Sequence, residues 1–270
     1  MKTKIAFAKM AAVLGLSATT AAGCGGMSNH ARATMAFENR VNSSLEDISR
    51  SVHCTRIVAK YERVGSDDNL LPIKPEYTRY GTAFAFSQDN EYTYLLTAGH
   101  VVETEQHMKH WLFGEFELKS VKMTLVDNAL DEKASDDVDV EVFAQYPGTD
   151  ISVVRAKKKL HVSRAYKSVN QKSLHLGEQA YVIGYPRSLV GFLTVGHIGN
   201  TKGVTNFDEL KDSCAVLADV RVAPGNSGSP LFVRRGDELY FAGVVTALEG
   251  PVAIAVGNPC VEARLPRAGY

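Results

Sequence analysis

From residue 51 onward the chain is a succession of short runs rich in Val, Ile, Tyr, Phe and Thr: RIVAKYE, TAFAFS, YTYLLT, VKMTLV, DVEVFAQ, ISVVRA, QAYVIGY, AVLADVRV, LYFAGVVTA and VAIAV. Turn residues separate them, among them Asp89-Asn90, Asp127-Asn128, Pro147-Gly148 and Gly236-Asp237. β-Branched and aromatic side chains fit a pleated, half-buried surface, whereas Asn, Asp, Gly and Pro bend the chain. Many short strands at modest spacing predict an all-β sandwich or barrel. No internal repeat of fixed period and no low-complexity block interrupts the pattern.

The first two dozen residues are of another kind. Lys2, Lys4 and Lys9 precede the apolar run MAAVLGLSATTAAG, which is too short to span a bilayer but suits the apolar region of a secretory signal. An exported protein of the bacterial cell envelope, or a secreted one, is therefore expected, with residues 1–24 as its signal. Ala21-Ala22-Gly23-Cys24 resembles the lipobox of bacterial lipoproteins, with Ala21 where that pattern has Leu. Two outcomes stay open: a lipid on Cys24 that attaches the protein to a membrane, or ordinary cleavage near Ala22. Residues 25–50 are polar, yet Phe37, Val41, Leu45, Ile48 and Val52 recur every three to four positions, predicting a short amphipathic helix or a partly ordered linker.

Thirty Lys plus Arg balance thirty Asp plus Glu, so no global field favours nucleic acid, and none is expected as a partner. With Cys24 set aside, Cys54, Cys214 and Cys260 allow one disulfide and leave one thiol in an exported protein. His107 and His110, three apart on an expected helix, would share a face as metal ligands. No third ligand of matching spacing accompanies them, so neither a metal nor another cofactor is predicted.

Three places carry chemistry. YLLTAGH ends a strand in a small-residue turn bearing His100; YPGTDISVV begins one with Asp150; RVAPGNSGSPLF surrounds Ser227 with two glycines and two prolines. Each residue alone reads as a turn residue. Together they supply a nucleophile, a base and a group to orient the base.

LLTAGH, GTDISVV and GNSGSP, in that order, resemble the chymotrypsin-fold serine proteases. The bacterial Htr/Deg and glutamyl endopeptidase branches, which also place Asn before the serine, are nearest. TRYGTAFAFS, LGEQAYVIGYP and LYFAGVVTA extend the resemblance from about Ser51 to the C-terminus. It implies two packed six-stranded antiparallel barrels, one over 51–170 with His100 and Asp150 and one over 171–270 with Ser227. About forty residues follow the serine, so no PDZ domain is expected.

By that resemblance Ser227 is the nucleophile, His100 the general base and Asp150 its orienting partner, with the N–H groups of Gly225 and Ser227 as the oxyanion hole. Asn226 carries no charge to receive a freed N-terminus, so Arg56-Ile57-Val58 is expected to be the first strand and not an activation site. The barrel topology would bring Cys214 to Cys260 and leave Cys54 as the odd thiol, with a pairing that involves Cys54 still open. The pocket wall aligns with Arg221 near its base and Thr246-Ala247-Leu248 along one side. A shallow site for small aliphatic side chains, an Arg221-lined site for acidic ones and an Arg221 that points away all remain open, and no feature requires His197 to lie near that pocket. The implied activity is an exported serine endopeptidase acting on polypeptides. The alternatives are a latent or non-catalytic protein that binds extended peptides, as a chaperone or adaptor would, and an esterase or acyl transferase.

Overall fold

The computed structural model describes residues 29–65, 75–110, 114–126, 137–146, 148–188, 191–201, 214–250 and 252–262. The leader with Cys24, the Asp127-Asn128 turn and Pro147 lie outside the described residues.

Strands β1 (Val52–Arg63), β2 (Glu76–Gln88), β3 (Thr93–Ala98), β4 (His107–His110), β5 (Gly114–Val126), β6 (Val138–Tyr146) and β7 (Ile151–Ala156) form one antiparallel sheet. Its order is β1-β2-β3-β7-β6-β5-β4, and β1 also pairs with β5. Six strands thus close on themselves while β4 remains a hairpin arm on β5. Closure is visible at Cys54, opposite Thr82 on one side and Val126 on the other. Arg56, Ile57 and Val58 sit inside β1, bonded on both flanks, as expected of a first strand.

The second sheet contains β8 (Lys167–Ser168), β9 (Gln179–Gly184), β10 (Phe192–Asn200), β11 (Ala215–Asp219), β12 (Pro230–Arg235), β13 (Glu238–Glu249) and β14 (Val252–Gly257). The order β12-β9-β10-β11-β14-β13 closes through a β12–β13 pairing, giving a second six-stranded barrel. Strand β8 adds to β13 in parallel, so the second sheet draws in residues 167–168. The all-β, two-barrel architecture expected from the strand pattern and the resemblance is the observed one.

Strand β2 shows how the sequence builds the joint between the barrels. Successive side chains on a strand face opposite ways. Ala83 and Ala85 point into the first barrel beside Leu95, Met123 and Val154. Phe84, on the other face, is fully buried against the second barrel. Its ring lies 5.9 Å from that of Phe232, 5.9 Å from Phe241 and 5.6 Å from Tyr166. Small residues inward and an aromatic outward let one strand serve two cores.

Helix α1 (Asn29–Ser49) carries the stripe read from the sequence: Val41, Leu45 and Ile48 are buried in the core shared by the barrels. Val52 continues the burial but already belongs to β1. Phe37 lies beneath the Arg234 guanidinium at 4.5 Å, and that guanidinium also donates to Glu38 Oε1 at 2.7 Å. Ser163 Oγ, in the segment between the barrels, donates to Asp47 Oδ2 at 2.6 Å and pins the helix end.

The helix expected around His107 and His110 is absent. Both residues lie on β4, opposite Glu117 and Gly114 of β5. Residues three apart on a strand face opposite sides, so these histidines share no face for a metal. HMKH carries no apolar stripe to dock a helix, and pairing with β5 satisfies its backbone instead.

Cys214 and Cys260 form a disulfide with a Cα–Cα separation of 6.2 Å. Pairing of Ala215 with Val256 brings β11 to the end of β14, where α3 (Asn258–Glu262) carries Cys260. Cys54 is free and buried, and burial pushes its thiol up to about 12, which keeps it protonated and unreactive. Phe84→Ala should cost about 3–5 kcal/mol, since it empties a filled site in the joint; urea denaturation followed by tryptophan fluorescence checks this.

Candidate functional site

The site is assembled where the first barrel presents a strand end and the second a tight turn. Strand β3 stops at Ala98, and the single turn α2 (Gly99–Val102) lifts His100 out of the sheet. Asp150 lies on the turn from β6 into β7 with φ 48, a left-handed conformation that Asp tolerates better than most residues. Gly99 N–H donates to Asp150 O at 2.8 Å, joining the two turns through backbone.

The Asp150 carboxylate then grips His100 twice. Oδ1 accepts from the His100 backbone N–H at 2.7 Å, and Oδ2 pairs with the imidazole Nδ1 at 2.8 Å. With Nδ1 occupied, Nε2 is the nitrogen left for acid–base work. The carboxylate side chain is 15% exposed and the imidazole 46%, so the orienting group is sheltered while the ring reaches the surface. The bond from Asp150 raises the His100 pKa above its ordinary 6.5; burial opposes this, and the charges of Asp150 and Glu103 add to it against Arg79.

Ser227 stands on the turn between β11 and β12. Its carbonyl accepts from Thr82 N–H of β2 at 2.8 Å. A Cβ placed on Gly81 would meet Val101 Cγ1 of α2 at 2.7 Å and Ser227 O at 3.3 Å. The turn of His100 and the turn of Ser227 therefore flank the same glycine. Gly225 has φ +100, and a Cβ there would collide with Tyr185 O; Gly228 has φ +91, and a Cβ would collide with Thr82 O. Only glycine allows this fold of the turn against both barrels.

Among the described residues, neither Gly225 N–H nor Ser227 N–H has a hydrogen-bond acceptor. Two free amides beside a half-buried hydroxyl are suited to hold a developing oxyanion. Asn226 between them is turned inward and 2% exposed, with Oδ1 3.4 Å from Ser229 Oγ.

A cavity of about 230 Å³ opens beside Ser227, walled by Val222, Ala223, Pro224, Asn226, Val245, Ala247 and Leu248. Of the four pocket residues read from the sequence, Ala247 and Leu248 line it. Thr246 is buried at a register shift of β13, and Arg221 is exposed; neither is among the lining residues. His197 pairs with Asp219 across β10 and β11. The wall residues Val222 and Ala223 in the loop after β11 and Val245 inside β13 escape a sequence reading because small apolar residues carry no signal of their own.

The chain is similar to a known family and to solved structures of the same fold. The profile of the trypsin-like peptidase domain matches residues 81–239. Among solved structures, "HtrA-type protease AlgW with decapeptide" aligns with a TM-score of 0.58 at 16% identity, covering 82% of this chain and 65% of its own. "Crystal structure of Deg5" aligns with a TM-score of 0.54 at 20% identity, over 84% of this chain and 92% of its own. The chain thus spans just under two thirds of the AlgW structure. No curated protein sequence matches it.

A group whose folded pKa is raised stabilises the fold in its protonated form. The His100–Asp150 contribution is thus complete below pH 6.5 and fades as the pH rises through the raised value. In an NMR titration His100 should show a midpoint above 6.5, moving downward in Asp150→Asn.

Proposed function

Because the chain belongs to the trypsin-like peptidase family, we propose that it is a serine endopeptidase in which Ser227, His100 and Asp150 act together. The observation that carries this reading is the turn at Ser227, which leaves two N–H groups without an acceptor among the described residues and packs at Gly81 against the turn that bears the oriented imidazole. Ser227 Oγ attacks the substrate carbonyl as His100 Nε2 takes its proton, and Asp150 stabilises the imidazolium. The N–H groups of Gly225 and Ser227 hold the oxyanion, each worth about 3–4 kcal/mol of barrier. His100 then protonates the leaving amine, and water releases the acyl group from Ser227 by the same route in reverse.

The cavity beside the nucleophile is apolar, and Leu248 narrows it. A small aliphatic side chain, Ala or Val, preceding the scissile bond fits that space better than a charged one. Arg221 is exposed and absent from the wall, which weighs against the acidic alternative. Lys2, Lys4 and Lys9 ahead of the apolar run support export, with lipid attachment at Cys24 or cleavage near Ala22. The Cys214–Cys260 disulfide supports an oxidising compartment.

Incubation of the mature protein with a random peptide library, read by mass spectrometry, tests the activity. Cleavage after small aliphatic residues is expected, reduced at least about ten-thousandfold in Ser227→Ala. Absence of cleavage by folded protein would shift the assignment to a peptide-binding protein. Leu248→Gly should open the pocket and extend cleavage to larger residues such as Leu and Phe in the same library.

A further inference from the structure

Three successive peptide groups build the turn at Ser227, and each carbonyl is held. Pro224 O accepts from Arg187 N–H at 2.6 Å, Gly225 O from the Thr82 hydroxyl at 2.7 Å, and Asn226 O from Ser229 N–H at 2.9 Å. In a trans peptide the C=O and the following N–H point in opposite directions. Anchoring the first and third carbonyls therefore aims the N–H groups of Gly225 and Ser227 away from their anchors. The middle peptide links those two; its N–H donates to Ala223 O at 3.0 Å within the turn, and its carbonyl is held by a side chain from the other barrel.

Thr82 is fully buried on β2, and all its polar atoms are engaged. Its hydroxyl donates to Gly225 O and accepts from Tyr185 N–H at 3.1 Å. Its backbone N–H donates to Ser227 O at 2.8 Å, and its carbonyl accepts from the Thr97 hydroxyl at 2.8 Å. Tyr185 leads into Arg187, the residue at φ 50 whose N–H holds Pro224 O. One hydroxyl thus couples the middle of the turn to the segment that fixes its beginning.

We propose that the Thr82 hydroxyl is a positioning residue for the oxyanion donors, setting the geometry of Gly225 and Ser227 N–H from the first barrel. This rests on the peptidase reading of the site. The hydroxyl takes no proton and touches no substrate; it acts by fixing a peptide plane. Without it, the buried Gly225 O loses its donor, and a shift of the middle peptide about its remaining Asn226 N–H bond to Ala223 O relieves it at the expense of the donors' aim.

The test is inactivation of the full mature protein by a fluorophosphonate, followed by intact mass, with kinact and KI obtained separately. Thr82→Val should lower kinact roughly 10- to 100-fold, the scale of an active-site displacement of about 1 Å, with KI changed less than about threefold. Thr82→Ser, which keeps the hydroxyl, should restore kinact; Thr82→Ala, which makes no steric demand, is the second hydroxyl-free variant should the valine not fold. Thr93→Val is the control: the Thr93 hydroxyl is also buried, donating to Lys158 O at 2.8 Å and accepting from Leu160 N–H at 3.1 Å, remote from the turn. It should lower the melting temperature without changing kinact. Wild-type kinact in Thr82→Val, or equal slowing in Thr93→Val, overturns the proposal while leaving the peptidase reading intact. No adduct on the wild-type protein overturns that reading and the proposal with it.

Discussion

Phe84 holds the two barrels in register. Its ring packs against Phe232 and Phe241 of the second barrel and against Tyr166 between them. Two residues earlier on the same face of β2 lies Thr82, bonded to the turn of Ser227. The strand alternation that sends Phe84 into the joint also sends Thr82 into the turn. A core of aromatic contacts, strong but weakly directional, fixes distance; a buried hydroxyl a few ångströms away fixes angle. The free amides at Gly225 and Ser227 depend on both.

The other half of the site is fixed within the first barrel. Pairing of Ala98 with Ile151 sets the turn of His100 against the turn of Asp150, and the carboxylate spans the gap to both backbone and ring. The two halves therefore have independent supports and meet at Gly81. Orienting the imidazole is a local matter, whereas its distance from Ser227 is a matter of barrel packing. Substitutions in the joint and in the turns should thus disturb different things.

The sequence revealed most where local chemistry is unusual. A glycine before His100, an Asp at the head of an apolar strand and a serine between two glycines break the expected strand grammar, because a side chain must be exposed where strands end. The stripe from Phe37 to Ile48 was legible as a helix since its period matches one buried face. His107 and His110 misled because four residues carry too little pattern to separate helix from strand, and the decisive partner, β5, supplies the pairing. Thr82 gave no signal at all: Thr is an ordinary strand residue, and its bond to Gly225 spans 143 positions. Arg187 in a left-handed conformation and the apolar wall of the cavity are likewise products of packing between segments remote in the chain.

The central claim is that Ser227 is a nucleophile activated by the oriented His100. Tandem mass spectrometry of the protein after reaction with a fluorophosphonate tests it most directly, because the site of the adduct is read at residue level. A single adduct on Ser227, lost in His100→Ala, is the expected result. An adduct on another residue, or an adduct on Ser227 that forms equally fast without His100, would contradict it.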